Sequence, residues 1–387
     1  LLRNHDRIAR FEFVNTCLAI KKLAIVGDAA TPHQVALSKA LREYFDVRVW
    51  FYEYPDRLRG AWWRVDLPEN CKVLDRVFFF RAGPLRNRYL SFDLINELEK
   101  FQPDVVIVGG FSIPSNYFAV RWAKRAGKKS VVLSERSRDR KGVLRKGGVI
   151  WRVIHWLYKD VDMVFVTSED AVPQFRDDFG FGAKVVAARY GADIDSYFNH
   201  PVRTYKQSYT YLFANRLTEI YNPLGALDIF AEVLRRYPES KLVMNAAGEL
   251  AGQCRNRILE LGISDHVEFL TNIESWSDLN GVYARCDILL LPAIFSNGNF
   301  TIVEAMASGM GIVMSDKVLG MSNIFENGQN GFVCPPTTQE FLECIELYIC
   351  QPELFTIHAR RNRESAKPLT AAGTAEFYSE MISRHLC

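Results

Sequence analysis

From Asp287 to Ser315 the chain reads DILLLPAIFSNGNFTIVEAMASGMGIVMS. An apolar run over Ile288 to Pro292 predicts a strand, Asn297-Gly298-Asn299 a loop, and the segment carrying Glu304 a helix closed by Gly309. A second apolar strand is expected over Gly311–Met314. Strands joined by a helix lie parallel with both faces covered, which selects a doubly wound α/β architecture. The loop entering the helix also gathers unpaired N–H groups at the positive end of the helix dipole, a ready setting for a phosphorylated ligand. Glu304, inside that helix, is within reach of the hydroxyls of a ribose bound there; the competing reading is one ordinary strand–helix unit of such a sheet.

The same alternation runs from end to end. In the first half, strands are predicted at Leu23–Gly27, Val47–Tyr52, Val105–Val108, Ser130–Leu133 and Met163–Thr167, with a helix over Val35–Tyr44. The polar stretch His200 to Tyr209, which contains Pro201 and lacks periodicity, reads as a domain boundary. Beyond it the alternation restarts at Tyr209–Ala214, Lys241–Ala246, Val267–Leu270, Ile288–Leu291 and Gly311–Met314, with helices over Leu224–Arg236 and Cys254–Leu261. Two Rossmann-like domains follow, residues 1–199 and 200–371, with ligands expected at the carboxyl ends of the strands. A length of 387 residues suits two such cores.

Bulk properties narrow the classes. With 48% apolar and 24% charged residues the chain has a globular composition, and a net charge of +3 argues against wholesale nucleic-acid binding. Eight scattered cysteines without a C-x-x-C pair indicate reduced thiols rather than a disulfide framework or zinc site, and a cytoplasmic protein. No apolar run is long enough to span a bilayer.

Glu304-Ala305-Met306-Ala307-Ser308-Gly309 is similar, residue for residue, to the donor-site signature of family 4 glycosyltransferases, retaining enzymes of the GT-B fold. Tyr211-Leu212-Phe213-Ala214-Asn215-Arg216-Leu217 resembles that family's Gly-Arg-Leu segment, whose Arg meets the donor phosphates. The resemblance implies two domains facing across a cleft, a C-terminal helix (372–387) crossing back to the first, and no metal or other cofactor. It implies that Arg216 and Glu304 hold the nucleotide, with Tyr221, Gly248, Ser296, Asn297, Gly298, Asn299, Phe300, Thr301 and Ile302 around the donor. Two positions depart from the pattern: the first Glu of the family's pair falls at Ser296, and its phosphate-binding Lys at Tyr221. A tyrosine donates a hydrogen bond to phosphate but neutralises no charge, and leaving-group charge is what such sites must absorb. Either the donor differs from an ordinary UDP-hexose, for example a CMP-linked acid sugar, or the fold persists without the activity. Without the resemblance, Arg216 reads equally well as a surface Arg paired with Glu219.

In the first half, Asp28 and His33 lie in the loop after the first strand, as candidates for the acceptor side. Glu135 follows the strand at Ser130–Leu133 and offers a general base, or pairs with Arg136 or Arg138. A basic stretch of Arg136, Arg138, Arg140, Lys141, Arg145 and Lys146 leads into Val149-Ile150-Trp151-Arg152-Val153-Ile154-His155-Trp156-Leu157-Tyr158-Lys159. It suits an anionic acceptor, with contact to the inner face of a membrane as a second reading; packing on the core with a solvated charged face is a third.

The function so implied is transfer of a sugar, with retention, from a nucleotide sugar to a glycan or lipid-linked glycan in cell-surface polysaccharide or lipopolysaccharide synthesis. A non-catalytic nucleotide- or glycan-binding GT-B module and a sugar-nucleotide epimerase are the alternatives.

Overall fold

The computed structural model describes residues 21–55, 61–82, 85–138, 143–189, 191–201, 203–298, 300–321 and 323–386. The chain divides into two units, one of Leu1–Gly191 with Ala371–Cys387 and one of Ala192–Thr370.

The first unit is built on strands β1 (Lys22–Ala29), β2 (Asp46–Glu53), β3 (Cys71–Val73), β6 (Val105–Gly109), β7 (Lys129–Ser134), β8 (Met163–Val166) and β9 (Val185–Ala187). They form one parallel sheet in the order β3-β2-β1-β6-β7-β8-β9. An antiparallel hairpin, β4 (Val77–Ala82) with β5 (Leu85–Ser91), stands outside it. Helices α1 (Pro32–Leu41), α2 (Leu94–Phe101), α3 (Pro114–Arg125) and α4 (Val149–Tyr158) alternate with the strands. The sequence signal for α1 is local: the Thr31 side chain accepts from the Gln34 N–H and Pro32 occupies the first turn, where its missing N–H costs nothing. Apolar clusters cover both faces of the sheet.

The second unit repeats the plan. Strands β10 (Thr210–Phe213), β11 (Lys241–Asn245), β12 (Val267–Leu270), β13 (Ile288–Leu291), β15 (Gly311–Ser315) and β17 (Phe332–Cys334) pair in parallel as β12-β11-β10-β13-β15-β17. The short β14 (Ser296–Asn297) and β16 (Val318–Leu319) pair beside them. Helices α5 (Pro223–Arg236), α6 (Ala251–Leu261), α7 (Asp278–Arg285), α8 (Phe300–Ser308), α9 (Thr338–Cys350) and α10 (Pro352–Ala366) complete the layers. Ile288 to Leu291 are all fully buried, as a central parallel strand requires.

The last helix, α11 (Ala371–Leu386), belongs to the first unit: Ala375, Tyr378, Ile382 and Leu386 join its core, and the Tyr378 ring packs 5.4 Å from that of Phe165. The boundary between units differs from the sequence expectation, falling after Gly191 rather than after Asn199. Ala192, Ile194 and Tyr197 pack into the second unit's core, and the Ala192 N–H bonds the Leu369 carbonyl. Nor is His200–Tyr209 solvated throughout: Arg203 within it is buried and donates to the carbonyls of Pro201, Tyr283, Ala284, Cys286 and Ser308. A guanidinium at the C-terminal ends of α7 and α8 satisfies carbonyls that those helices leave unpaired. The polar composition of this stretch conceals the burial.

Candidate functional site

In the second sheet the strand order reverses between β10 and β13, the switch point where doubly wound folds open a crevice at the strands' carboxyl ends. Three loops meet there. The loop after β10 carries Arg216 and Tyr221, and its Leu217 N–H bonds the Ala247 carbonyl in the loop after β11. Gly248 makes that approach close. Its φ of +148° suits glycine, and a Cβ on it would lie 2.3 Å from the Leu217 carbonyl oxygen. The Ile220 carbonyl in turn accepts from the N–H groups of Ile294 and Phe295, in the loop after β13. Asn245 adds a side-chain bond to the Ala214 carbonyl.

Arg216 is exposed at the end of β10 and has no ion pair or side-chain hydrogen bond among the described residues. The pairing with Glu219 that its neighbourhood in sequence allowed is not formed. Tyr221 is half-buried against both apolar clusters of the unit, at the end of a turn that hands over to α5 through Asn222, whose side chain caps the Gly225 N–H. Ser296 is buried, and its hydroxyl donates to the Gly298 carbonyl at 3.1 Å. Asn297 pairs with Leu319, and Gly298, with φ +88°, turns the chain toward α8. Asn299 lies outside the described residues. Phe300, Thr301 and Ile302 form the first turn of α8, with Thr301 and Ile302 buried.

Glu304 is buried as well, and one carboxylate oxygen accepts the Tyr283 hydroxyl from α7. Burial pushes its carboxyl up to about 7 against the effect of that hydrogen bond, and the charge of Asp193 adds to the rise. The Tyr197 ring packs edge-on to Tyr283 at 5.2 Å, and Trp276 donates to Asp193. Sequence reading named Glu304 but none of these neighbours; they come from three separate segments, and no local pattern marks them. In the loop after β12 the Glu274 and Ser275 N–H groups are capped by the Asp278 carboxylate.

The first unit brings carboxylates together. Asp28 ends β1, Glu53 ends β2 and Glu135 follows β7. Asp28 keeps contact with water, yet the surrounding chain and then the charges of Glu53 and Glu135 push its carboxyl up to about 7. Glu53, absent from the sequence candidates, accepts the Tyr89 hydroxyl at 2.6 Å. His33 is buried on the first turn of α1, edge-on to the Trp63 ring. Arg136 does not stand open to a ligand: its guanidinium pairs with Asp170. Arg138 is half-buried and bridges to Leu144 through the backbone. Arg140 and Lys141 lie outside the described residues.

Two doubly wound units, each with candidate side chains at the carboxyl ends of a parallel sheet, define an α/β protein of the GT-B type. Comparison with known proteins narrows this. Residues 31–196 match the family described as Glycosyltransferase Family 4, and residues 198–366 match Glycosyl transferases group 1. The two domains are those of a GT-B glycosyltransferase of the family 4 type. Among curated relatives, an uncharacterized glycosyltransferase of Haemophilus influenzae is 27% identical over 35% of this chain and 38% of its own length. An exopolysaccharide phosphotransferase of Streptomyces coelicolor is 25% identical over 58% of this chain and 24% of its own. The D-inositol 3-phosphate glycosyltransferase of Corynebacterium jeikeium is 26% identical over 45% of each. The matches thus span less than half of these relatives' own lengths. Among solved structures, Anabaena HepE in complex with UDP superposes with a TM-score of 0.69 at 15% identity, covering 94% of this chain and 100% of that one. Sucrose-phosphate synthase of Thermosynechococcus elongatus gives 0.69 at 13%, covering 94% and 98%.

Proposed function

We propose that this chain is a metal-independent retaining glycosyltransferase that binds a nucleotide sugar at the β10, β11 and β13 loops of its second unit. The sugar passes to a glycan or lipid-linked glycan held by the first unit, in the assembly of a cell-surface polysaccharide or lipopolysaccharide. The observation that carries the reading is Arg216, an exposed guanidinium without a protein partner among the described residues. It stands in a loop tied to the loop that leads into α8. A planar cation and helix N–H groups together absorb the charge that develops on a leaving phosphate. Solved neighbours support the donor class: HepE is described with UDP and with UDP-glucose, and a pneumococcal O-GlcNAc transferase with UDP and GlcNAc. A lipopolysaccharide outer core galactosyltransferase, WaaB, shares the fold and supports the pathway class.

Ser296 and Tyr221 shape the donor in this reading. With Ser296 bonded to its own loop the site lacks the family's carboxylate for the sugar hydroxyls, and with no cation at 221 it offers less positive charge to a diphosphate; both favour an unusual donor. Calorimetric titration with UDP, GDP, ADP and CMP, using Arg216→Ala and Glu304→Ala as controls, tests this. Selective binding of one nucleotide, weakened in both controls, supports the donor site and fixes the sugars to assay for turnover. No binding at millimolar nucleotide sinks the enzyme reading and leaves a GT-B module without a donor.

A further inference from the structure

Helix α4 is apolar on two sides, and the core uses only one. Trp151 and Tyr158 are buried, and the Trp151 ring stacks on Phe179 at 3.5 Å. On the other side Val149, Ile150, Val153 and Trp156 are 67%, 53%, 51% and 64% exposed. Their spacing puts Val149, Val153 and Trp156 on one line along the helix, with Ile150 beside it. Val143, just before the helix, is also exposed. An ordinary solvated helix carries polar residues there; a contiguous exposed apolar face marks a surface that something covers.

The charges around this face indicate what. Arg145 and Lys146 precede α4, Arg152 lies on its exposed side and Lys159 follows it; none has an ion pair among the described residues. Of the nearby acids, Asp160 pairs with Arg121 and Lys124 and Asp170 with Arg136; the exposed Asp178, whose backbone packs on Gly147, is one charge against these four cations. The loop before the helix is held in place: Gln174 bonds the Ser137 N–H and carbonyl and the Arg145 carbonyl. An apolar stripe with a tryptophan, rimmed by unpaired cations, complements a surface that is apolar below and anionic above. A ten-residue helix is about 15 Å long, and no helix among the described residues is long and apolar enough to cross a membrane. A helix of that length is too short to span a bilayer and long enough to lie along its surface.

We infer that the outer face of α4 docks on an anionic lipid bilayer, with Val149, Val153 and Trp156 entering the headgroup boundary and Arg145, Lys146, Arg152 and Lys159 meeting lipid phosphates. The inference stands apart from the donor reading, since it concerns a different surface of the first unit. The test is co-sedimentation of the full chain with vesicles of phosphatidylcholine containing about one-third phosphatidylglycerol. Binding is expected to weaken roughly tenfold or more on pure phosphatidylcholine or in high salt. Val153→Ser with Trp156→Ser, and separately Arg152→Glu with Lys159→Glu, should each weaken it to a similar degree. Circular dichroism and nucleotide titration on the same variants should stay at wild-type values, because every altered side chain is exposed. A wild-type protein that stays in solution with anionic vesicles overturns the inference. So does binding indifferent to both double variants, or a self-association seen by ultracentrifugation that the Val153→Ser, Trp156→Ser pair abolishes while vesicle binding is absent. Loss of nucleotide binding with vesicle binding intact would strike the donor reading alone.

Discussion

The two parallel sheets share a plan and differ in the chemistry at their carboxyl ends. The first ends in carboxylates, Asp28, Glu53 and Glu135, with Asp28 raised toward neutrality by its surroundings and by the other two. The second ends in an exposed guanidinium, a glycine turn and the start of a helix. Carboxylates accept from hydroxyl groups and can take their protons, whereas cations and N–H groups suit phosphate. The architecture fixes which strand ends face a crevice and loop residues fix what they offer, so one fold presents two chemistries.

The contrast breaks most readily at Gly248. Gly248→Ala forces a Cβ into the Leu217 backbone, so we expect a loss of roughly 3 kcal/mol or more in chemical denaturation, together with loss of nucleotide binding. Glu304→Gln should act on stability through pH. Its carboxyl sits near 7 when folded against 4.5 otherwise, so the folded state holds the extra proton between those values. Stability from this group is full below about 4.5 and is lost as pH rises through 7, by at most about 3 kcal/mol. The Gln variant should flatten that slope in denaturation curves taken across the window. Arg216→Ala should leave the melting temperature unchanged and weaken nucleotide binding roughly ten- to a hundredfold by calorimetry. The smallest effect is expected on the first sheet: Asp28→Asn should remove a titration near pH 7 from the rate profile and leave nucleotide affinity untouched. If Asp28→Asn weakened nucleotide binding as much as Arg216→Ala, the division of chemistry between the sheets would fail.

Strand and helix order was readable where buried parallel strands are continuous apolar runs: Ile288–Leu291, buried throughout, coincides with the observed strand, and the partly buried Val267–Leu270 coincides as well. The hairpin β4–β5 and the short β9 escaped, being short or partly solvated, where periodicity is weak. Arg216, Gly248 and Glu304 were legible through local motifs. Tyr283, Asp193 and Glu53 were not, because each acts through a partner distant in sequence. Arg203 shows the same limit: its polar setting reads as linker, whereas its five carbonyl partners lie at Pro201 and 80 or more residues downstream.

The return of α11 to the first unit has a consequence for biosynthesis. A ribosome making this chain completes residue 191 long before residue 371, and at about 5–20 residues per second the interval is roughly ten to forty seconds. Throughout that time the nascent first unit lacks the Ala375, Tyr378, Ile382 and Leu386 side chains that seal one of its faces. The second unit can close while its elder neighbour waits with apolar surface open. Chaperone occupancy on stalled chains should therefore concentrate on the part of the protein that was synthesised first.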